Sequence, residues 1–514
     1  MKKIIYLSTL LFMSLLSAVG QNRLSADESL FYVNKIGPKR TTINLTGLNN
    51  GNDSQKLNNE INRISNLGGG IITINKVPGK PYIYLRSVEL KNKVHLKIAS
   101  NVTLKPWLGG NRPKNVAIFN LGVKNKVWNT AITNSKQWST NTNDYFKVIL
   151  SGGPTERVRI VEALSVTNFL ISGIKVTDSY TIFSNIECNL NKTQSREWSD
   201  LPTNGVIKNV ISYKNHVGYG IIQIRAGKKI LFKNLDGEGG VTLRVESGII
   251  PSIQSSEATI DNIVGRDITV RKGDASVMLS PHRINQGRVD ISNISAYNST
   301  VAAQIEGGFI DKKGGVDNLG TFKGTSYIGD FNEVRGGNNA QVKSKDFKLY
   351  PCGVQNSFNN TPWNIDDESK QGKSLTVVRY GAHPTNGCKT FTGKPSGCYN
   401  VNLQLPLNNK VSGTTLGNSK KIVYPFKDQL TCNPSNMALK SNKDLLDFEN
   451  TNNNYSFEQG TKVEFYNQNG ILKKSIHYSE KTNNLDTSGL FNGFYILAIH
   501  SKDKITRKKI IIQH

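Results

Sequence analysis

Cysteine and negative charge are both scarce in this chain of 514 residues, which has five cysteines and 38 Asp and Glu against 65 Lys and Arg. Five cysteines are too few to staple a chain of this length, so a large packed core must hold it together. They allow two disulfides and one leftover thiol. Cys388 and Cys398 are close enough in sequence to pin a loop, and Cys352 with Cys432 would be the second pair, one of three pairings open to the four; Cys188 is most simply a buried thiol. Long apolar runs are also missing after the first twenty residues. No later segment reaches the roughly 20 apolar residues that a membrane-spanning helix needs. Helix-turn-helix, zinc-finger and RNP-like signatures are absent as well, which removes the usual nucleic-acid explanation of a net charge of +27.

What is present begins with MKKIIYLSTLLFMSLLSAVGQ: two lysines, an apolar run, then the small residues Ser17, Ala18 and Gly20 before Gln21. This is the pattern of a secretory signal peptide, residues 1–20, and it is excluded from the fold. The mature chain is expected outside the cytoplasm and still strongly basic. Export and basicity together point to a polyanionic partner, a charged polysaccharide rather than nucleic acid.

The body of the chain repeats itself. VTNFLISGIKVTDS, GVIKNVISYKN, KKILFKNLDGEGG, ATIDNIVGRDITV and GRVDISNISAYNS follow one another between Asn168 and Glu306. Taking Ile174, Val210, Leu235, Ile263 and Ile294 as equivalent gives steps of 36, 25, 28 and 31 residues. Each unit has an alternating strand ending in Asn plus an aliphatic residue, a polar turn, and a second strand such as YGIIQIR, VTLRVE, SVMLS or AAQIE. That pattern predicts an all-β chain wound as a right-handed parallel β-helix, because no coil can bury its apolar face alone. Asn209, Asn234, Asn262 and Asn293 recur at one place in their coils, where a left-handed turn residue and a side-chain ladder are expected. A solenoid end needs a cap. DSQKLNNEINRISNLGGGIITIN supplies a helix with Asp53 or Ser54 as its cap residue and Leu57, Ile61 and Ile64 on one face.

The expected division is a β-helix over 21–307, a lid-like appended region over 308–435 where the repeat fades, and a small C-terminal β-domain over 445–514. The last of these, with VEFYNQNGILKKS and NNLDTSGLFNGFYILAIHSKDKITRKKIIIQ, resembles the C-terminal sorting domain of type IX secretion cargo, a small β-sandwich; an ordinary carbohydrate-binding β-domain is the other reading.

In the second strands, period-two alternation puts Gln223 and Arg225, then Thr242, Arg244 and Glu246, then Ser280 with His282 just beyond, then Gln304 and Glu306 on one outward face. Each has a plain alternative: Glu246 as a surface partner of Arg244, His282 as a turn histidine. Together in register they read as a catalytic face. A general acid among them is expected to have a raised pKa.

GYGIIQIR, DGEGGVTLRVES, VMLSPHR and AAQIEGG, in that order on a β-helix, resemble the iota-carrageenase family of glycoside hydrolases. The resemblance implies a secreted enzyme that hydrolyses the β-1,4 linkages of the sulfated galactan iota-carrageenan with inversion. It implies Glu246 as general acid, with Gln223 and His282 orienting water and substrate and Glu306 lining the cleft. The resemblance implies an aspartate two residues after the acid as the usual general base, and here that position is Gly248. Glu306, two coils on, stands about 9.6 Å away by strand stacking, close to the separation of roughly 6.5–9.5 Å that an inverting pair requires. Arg225, Arg244, Arg271, Lys272 and Arg283 are the expected sulfate readers. No cofactor is required and no metal ligands are assigned, with room left for a structural ion such as calcium; the chain is expected to act as a monomer and to meet the type IX machinery. A polysaccharide lyase and a non-catalytic sulfated-glycan binder are the alternatives.

Overall fold

A computed structural model describes residues 23–432 and 448–512 apart from 110–114, 137, 151–155, 192–199, 248–257, 311–318, 356–357, 359–368, 451–454, 468–470 and 502–503. The signal peptide and Gly248 lie outside the described residues. The chain divides into two compact units, Met1–Thr431 and Cys432–His514.

The first unit is a parallel β-helix. One sheet of sixteen strands and one of ten run the length of the stack, and their rungs are parallel throughout. Right-handed winding is what twisted strands joined by crossovers adopt. Inside the ten-stranded sheet the side chains form columns: Ile222, Leu243, Val277, Ala303 and Val378 are in register, as are Ile224, Val245, Leu279, Ile305 and Tyr380. All ten are at most 2% exposed. Each fully buried Val, Leu or Ile side chain stabilises the stack by about 1.5–3 kcal/mol.

The long strands of the other sheet bend at left-handed residues, and these fall in rows. Asn129, Asn168, Asn204, Lys229 and Asn262 occupy one row; Gly173, Asn209, Asn234, Asp267 and Asn293 occupy the next. All ten have φ between 52° and 76°. Asn234 Nδ2 donates to Asn209 Oδ1 at 2.9 Å and Asn168 Nδ2 to Asn129 Oδ1 at 2.6 Å. The ladder is therefore real, but Asn262 belongs to a different row from Asn209, Asn234 and Asn293. The residue in register with Leu235 is Ile268, not Ile263. Two corners per strand give two Asx-plus-aliphatic marks in DNIVGRDITV, and Asp267 tolerates the left-handed region as Asn does.

The sheets also continue past Gly308, where the repeat fades in sequence. Tyr327–Ile328 and Asn402–Leu403 extend the larger sheet, and Val378–Tyr380 and Ile422–Val423 extend the smaller one. The coils persist while their connections lengthen, which hides the period. At the other end helix Asn52–Asn66 buries Leu57, Ile61 and Ile64 as expected, but its cap residue is Gly51, in the left-handed region and with no side-chain cap. Asp53 instead accepts from the Thr46 and Gly47 amides at 2.7 Å each, tying the preceding loop to the helix. Ser54 Oγ accepts from the Arg86 amide.

His95 is buried in the sheet with Nε2 2.7 Å from Thr133 Oγ1, and burial, aided by the charges of Lys97 and Arg40, pulls its pKa down to about 3. The unfolded chain takes up this proton near pH 6.5 and the folded chain refuses it. Stability is therefore whole above that pH and falls as pH drops, by up to about 1.4 kcal/mol per unit from this residue. His95→Gln is expected to flatten that part of the slope in urea unfolding midpoints measured at several pH values; an unchanged slope would refute it.

Cys388 and Cys398 form a disulfide, Cys352 and Cys432 are disulfide-bonded too, and Cys188 is a buried free thiol. In the second unit the described residues form a five-stranded sheet and a separate antiparallel Phe457–Thr482 bridge, over their own core of Tyr455, Phe457, Val463, Phe465 and Leu497.

Candidate active site

The strand Val241–Glu246 is delivered by Gly239 and Gly240, whose φ angles are +82° and +64°. A Cβ on Gly240 would stand 2.0 Å from the Tyr219 carbonyl oxygen, so only glycine makes this corner. From there alternation does the rest. Arg244 is in register with Gln223, Met278, Gln304 and Arg379 along the outer face, and Glu246 with Ser280. Thr242, expected on the open face, is fully buried and donates to the Thr269 carbonyl of the larger sheet at 2.7 Å, while it is Val241 that packs with Ala340, Val342 and Leu349 from beyond Gly308.

Glu246 is the centre of the site and is 7% exposed. Gln223 Nε2 donates to its Oε2 at 2.8 Å, and His282 Nε2 stands 3.0 Å from its Oε1. Arg244 Nε makes an ion contact with Oε2 at 2.7 Å. His282 reaches back because its own backbone is left-handed, φ 49°, in a turn fixed by the Phe309 and Gly320 amides, which both donate to its carbonyl at 2.9 Å. Phe309 packs on the imidazole with ring centroids 4.3 Å apart. Gln223 Oε1 and His282 Nδ1 are buried with no protein partner among the described residues, and such atoms suit water or a substrate hydroxyl.

Burial pushes the Glu246 pKa upward, but the charge of Arg244 and the bond and charge of His282 outweigh it and hold the carboxyl well below the usual range. The expectation of a raised pKa is therefore not met here: Glu246 is a carboxylate. Burial alone would have produced the expected shift, and the arginine two residues away, together with His282, reverses it.

Glu306 follows the strand Ala303–Ile305, and its amide donates to the Leu279 carbonyl at 2.8 Å, so it continues the row of Glu246 and Ser280. It is paired with Arg379, which also binds Asp346 and donates to Gln304 Oε1 at 3.0 Å. Burial raises the Glu306 pKa, and Arg379, Lys345 and Lys343 together bring it below the ordinary value. Both carboxylates line one cleft of ≈ 310 Å³, with Arg244, Lys343, Lys345, Arg379 and Lys389 as its cations and Phe309 and Phe391 as its aromatic walls.

The other expected sulfate readers are dispersed. Arg225 is beside the site, 3.3 Å from Glu187. Arg271 and Lys272 are on the larger sheet, paired with Asp236 at 3.1 Å and Glu238 at 3.7 Å, and Lys272 is a left-handed corner residue. Their strand belongs to the wrong sheet for the cleft. Arg283 is buried in the turn after His282 and does not line it. The cations that do line it, Lys343, Lys345, Arg379 and Lys389, come from the region after Gly308. LTVVRYGA, residues 375–382, has the alternation of the earlier second strands and could have betrayed Arg379. Among the described residues, no group of three or more His, Cys, Asp or Glu is arranged to hold a metal ion.

Residues 442–513 match the secretion system C-terminal sorting domain. The iota-carrageenase of Zobellia galactanivorans is 30% identical over 362 residues, 68% of this chain and 70% of that protein; the iota-carrageenase of Alteromonas macleodii is 30% identical over 267 residues, 52% and 51% of the two. Among solved structures, a 1,3-alpha-1,4-beta-D-galactose-4-sulfate-3,6-anhydro-D-galactose-2-sulfate 4 galactohydrolase aligns with a TM-score of 0.64 at 22% identity, covering 80% of this chain and 98% of its own. An iota-carrageenase complexed to iota-carrageenan fragments aligns at 0.61 and 22%, with the same coverage. With a sorting domain of secreted proteins at its C-terminus and this similarity along the β-helix, the chain belongs to the iota-carrageenase family.

Proposed function

We propose that this secreted protein hydrolyses the β-1,4 linkages of iota-carrageenan with inversion, Glu246 giving the proton to the leaving oxygen and Glu306 taking one from the attacking water. The observation that carries the reading is Glu246 itself: a nearly buried carboxyl at the wall of a cationic cleft, contacted by Gln223, His282 and Arg244. Gln223 and His282 orient the acid and offer Oε1 and Nδ1 to water or sugar hydroxyls. The substrate class fits the charge, since five cations face two carboxylates in the cleft. Arg379 and Lys343 are committed to Asp346 and Asp274; Arg244, at Glu246, and Lys345, 3.9 Å from Glu306, still face the cleft and with Lys389 are the groups to meet sulfate esters. Acid, base and water suffice for the reaction, so the reading assigns no cofactor, and one monomer holds the full set.

Incubation with iota-, kappa- and lambda-carrageenan tests it. Reducing ends are expected from the iota form, with the first product in the α configuration by proton NMR because a β bond is cleaved with inversion. A β product would make the reaction retaining. An unsaturated sugar end would make it a lyase.

Sulfate reading has its own expected outcome. Affinity falls as salt rises, since screening over about 8 Å at 0.15 M weakens the exposed lysines first, and Arg244→Ala weakens binding, with a melting curve to separate that loss from the cost of leaving the buried Glu246 without its counter-charge. Equal turnover on a desulfated galactan would remove sulfate from the recognition.

A further inference from the structure

A proton donor that rests as a carboxylate poses a chemical problem, and the geometry around Arg244 answers it. Its Nε is 2.7 Å from Glu246 Oε2, yet that nitrogen is buried without an aligned hydrogen bond. By contrast Gln223 is hydrogen-bonded to the same carboxylate oxygen and His282 Nε2 lies at hydrogen-bonding distance from the other. Arg244 also lines the open cleft, with its side chain 17% exposed and its Cζ 5.5 Å from the centre of the Tyr219 ring. A sulfate ester entering the cleft offers the guanidinium the paired, bidentate bonds that Glu246 does not provide.

We infer that Arg244 is a clamp released by substrate: in the free enzyme it keeps Glu246 ionised, and a sulfate of the bound galactan draws the guanidinium off so that Glu246 takes up the proton it must donate. Arg244 is then a positioning residue that makes sulfate a requirement of turnover as well as of binding. The inference rests on the reading of the cleft as a carrageenan site.

The charges around Glu246 permit this. Arg225 is paired with Glu187, which Arg159 also binds, and Arg379 with Glu306 and Asp346. Lys343 is held by Asp274 at 2.6 Å, and Lys345 lies 3.9 Å from Glu306. His282 remains beside the carboxyl from the adjoining turn, with Arg283 buried next to it in the chain. With Arg244 withdrawn, the largest influence that keeps the proton off Glu246 is gone, and burial, which favours the neutral acid, is opposed by His282 alone. The proton comes from solvent. In the reaction it passes to the glycosidic oxygen as the bond to the anomeric carbon breaks, water adds to that carbon and loses its proton to the base, and Glu246 returns to a carboxylate ready for the clamp.

The test is titration calorimetry of the wild-type enzyme with the limit oligosaccharides left by exhaustive digestion of iota-carrageenan, at about pH 7 in buffers of different ionisation enthalpy. Uptake of about one proton per bound oligosaccharide is expected, falling to near zero in Glu246→Gln and with chemically desulfated oligosaccharides. In Arg244→Gln the carboxyl is unclamped from the start. The tenfold fall of kcat/KM per pH unit expected for wild type, whose free enzyme lacks the proton, should then begin at a higher pH. Tight binding without proton uptake overturns the inference and leaves the carrageenan reading standing. Loss of both binding and reducing-end release overturns that reading and the inference with it.

Discussion

Glu246→Gln is expected to reduce the release of reducing ends from iota-carrageenan by at least about 10², and up to the 10⁴ that a general acid supplies, while oligosaccharide binding persists. The amide keeps the size of the carboxyl and an oxygen that Gln223 or His282 can approach, so the local packing survives. What it cannot do is carry a proton to the leaving oxygen. The change also strips Arg244 of its counter-charge, and a partly buried guanidinium left alone costs stability unless it turns toward the cleft and solvent. A melting curve is therefore part of the measurement. More than a tenth of wild-type turnover in a folded variant would remove Glu246 from the role of acid.

Glu246 was legible as the candidate acid because its surroundings are written locally. VTLRVES places Arg244 and Glu246 on one face by alternation alone, and Gln223 and Ser280 follow once the second strands are stacked. The coil itself was legible for the same reason, since aliphatic residues must recur wherever a strand faces the core. What failed was equivalence and reach. Two left-handed corners per strand gave Ile263 the look of Ile268, and a sequence with one mark per coil would not have misled. The cleft wall failed differently. Asp346 and Lys345 sit in a short helical turn that follows the strand Ala340–Lys343, and Arg379 meets Glu306 from 73 positions away. Such contacts are set by tertiary closure of long connections, about which local periodicity says nothing. The charge state of Glu246 belongs to the same class: the sequence shows a carboxylate near an arginine, and only the distance of 2.7 Å in a buried setting decides which influence wins.

Glu306→Gln is the decisive variant for the base. Glu306 is on the row of Glu246 with Ser280 between them, and two strand spacings separate acid and base by about 9.6 Å, room for the water that an inverting reaction places between its carboxyls. Arg379 keeps Glu306 ionised and aligned, and its pKa below the usual glutamate value fixes the sign of the pH dependence. A base must be deprotonated. Its limb of the kcat profile therefore lies on the acid side, and activity should hold as pH falls until it passes below the ordinary carboxyl range near 4.3. Glu306→Gln should lower kcat by about 10² or more with KM little changed, since Arg379 retains Asp346 and the cleft keeps its shape. Gly248→Asp puts a carboxylate two residues after Glu246, where the family resemblance implies a base, and is expected to raise turnover in the Glu306→Gln background. If Glu306→Gln turns over as fast as wild type, the base is another group. If Gly248→Asp restores the rate that Glu306→Gln has lost, this chain has moved its base two coils along the stack.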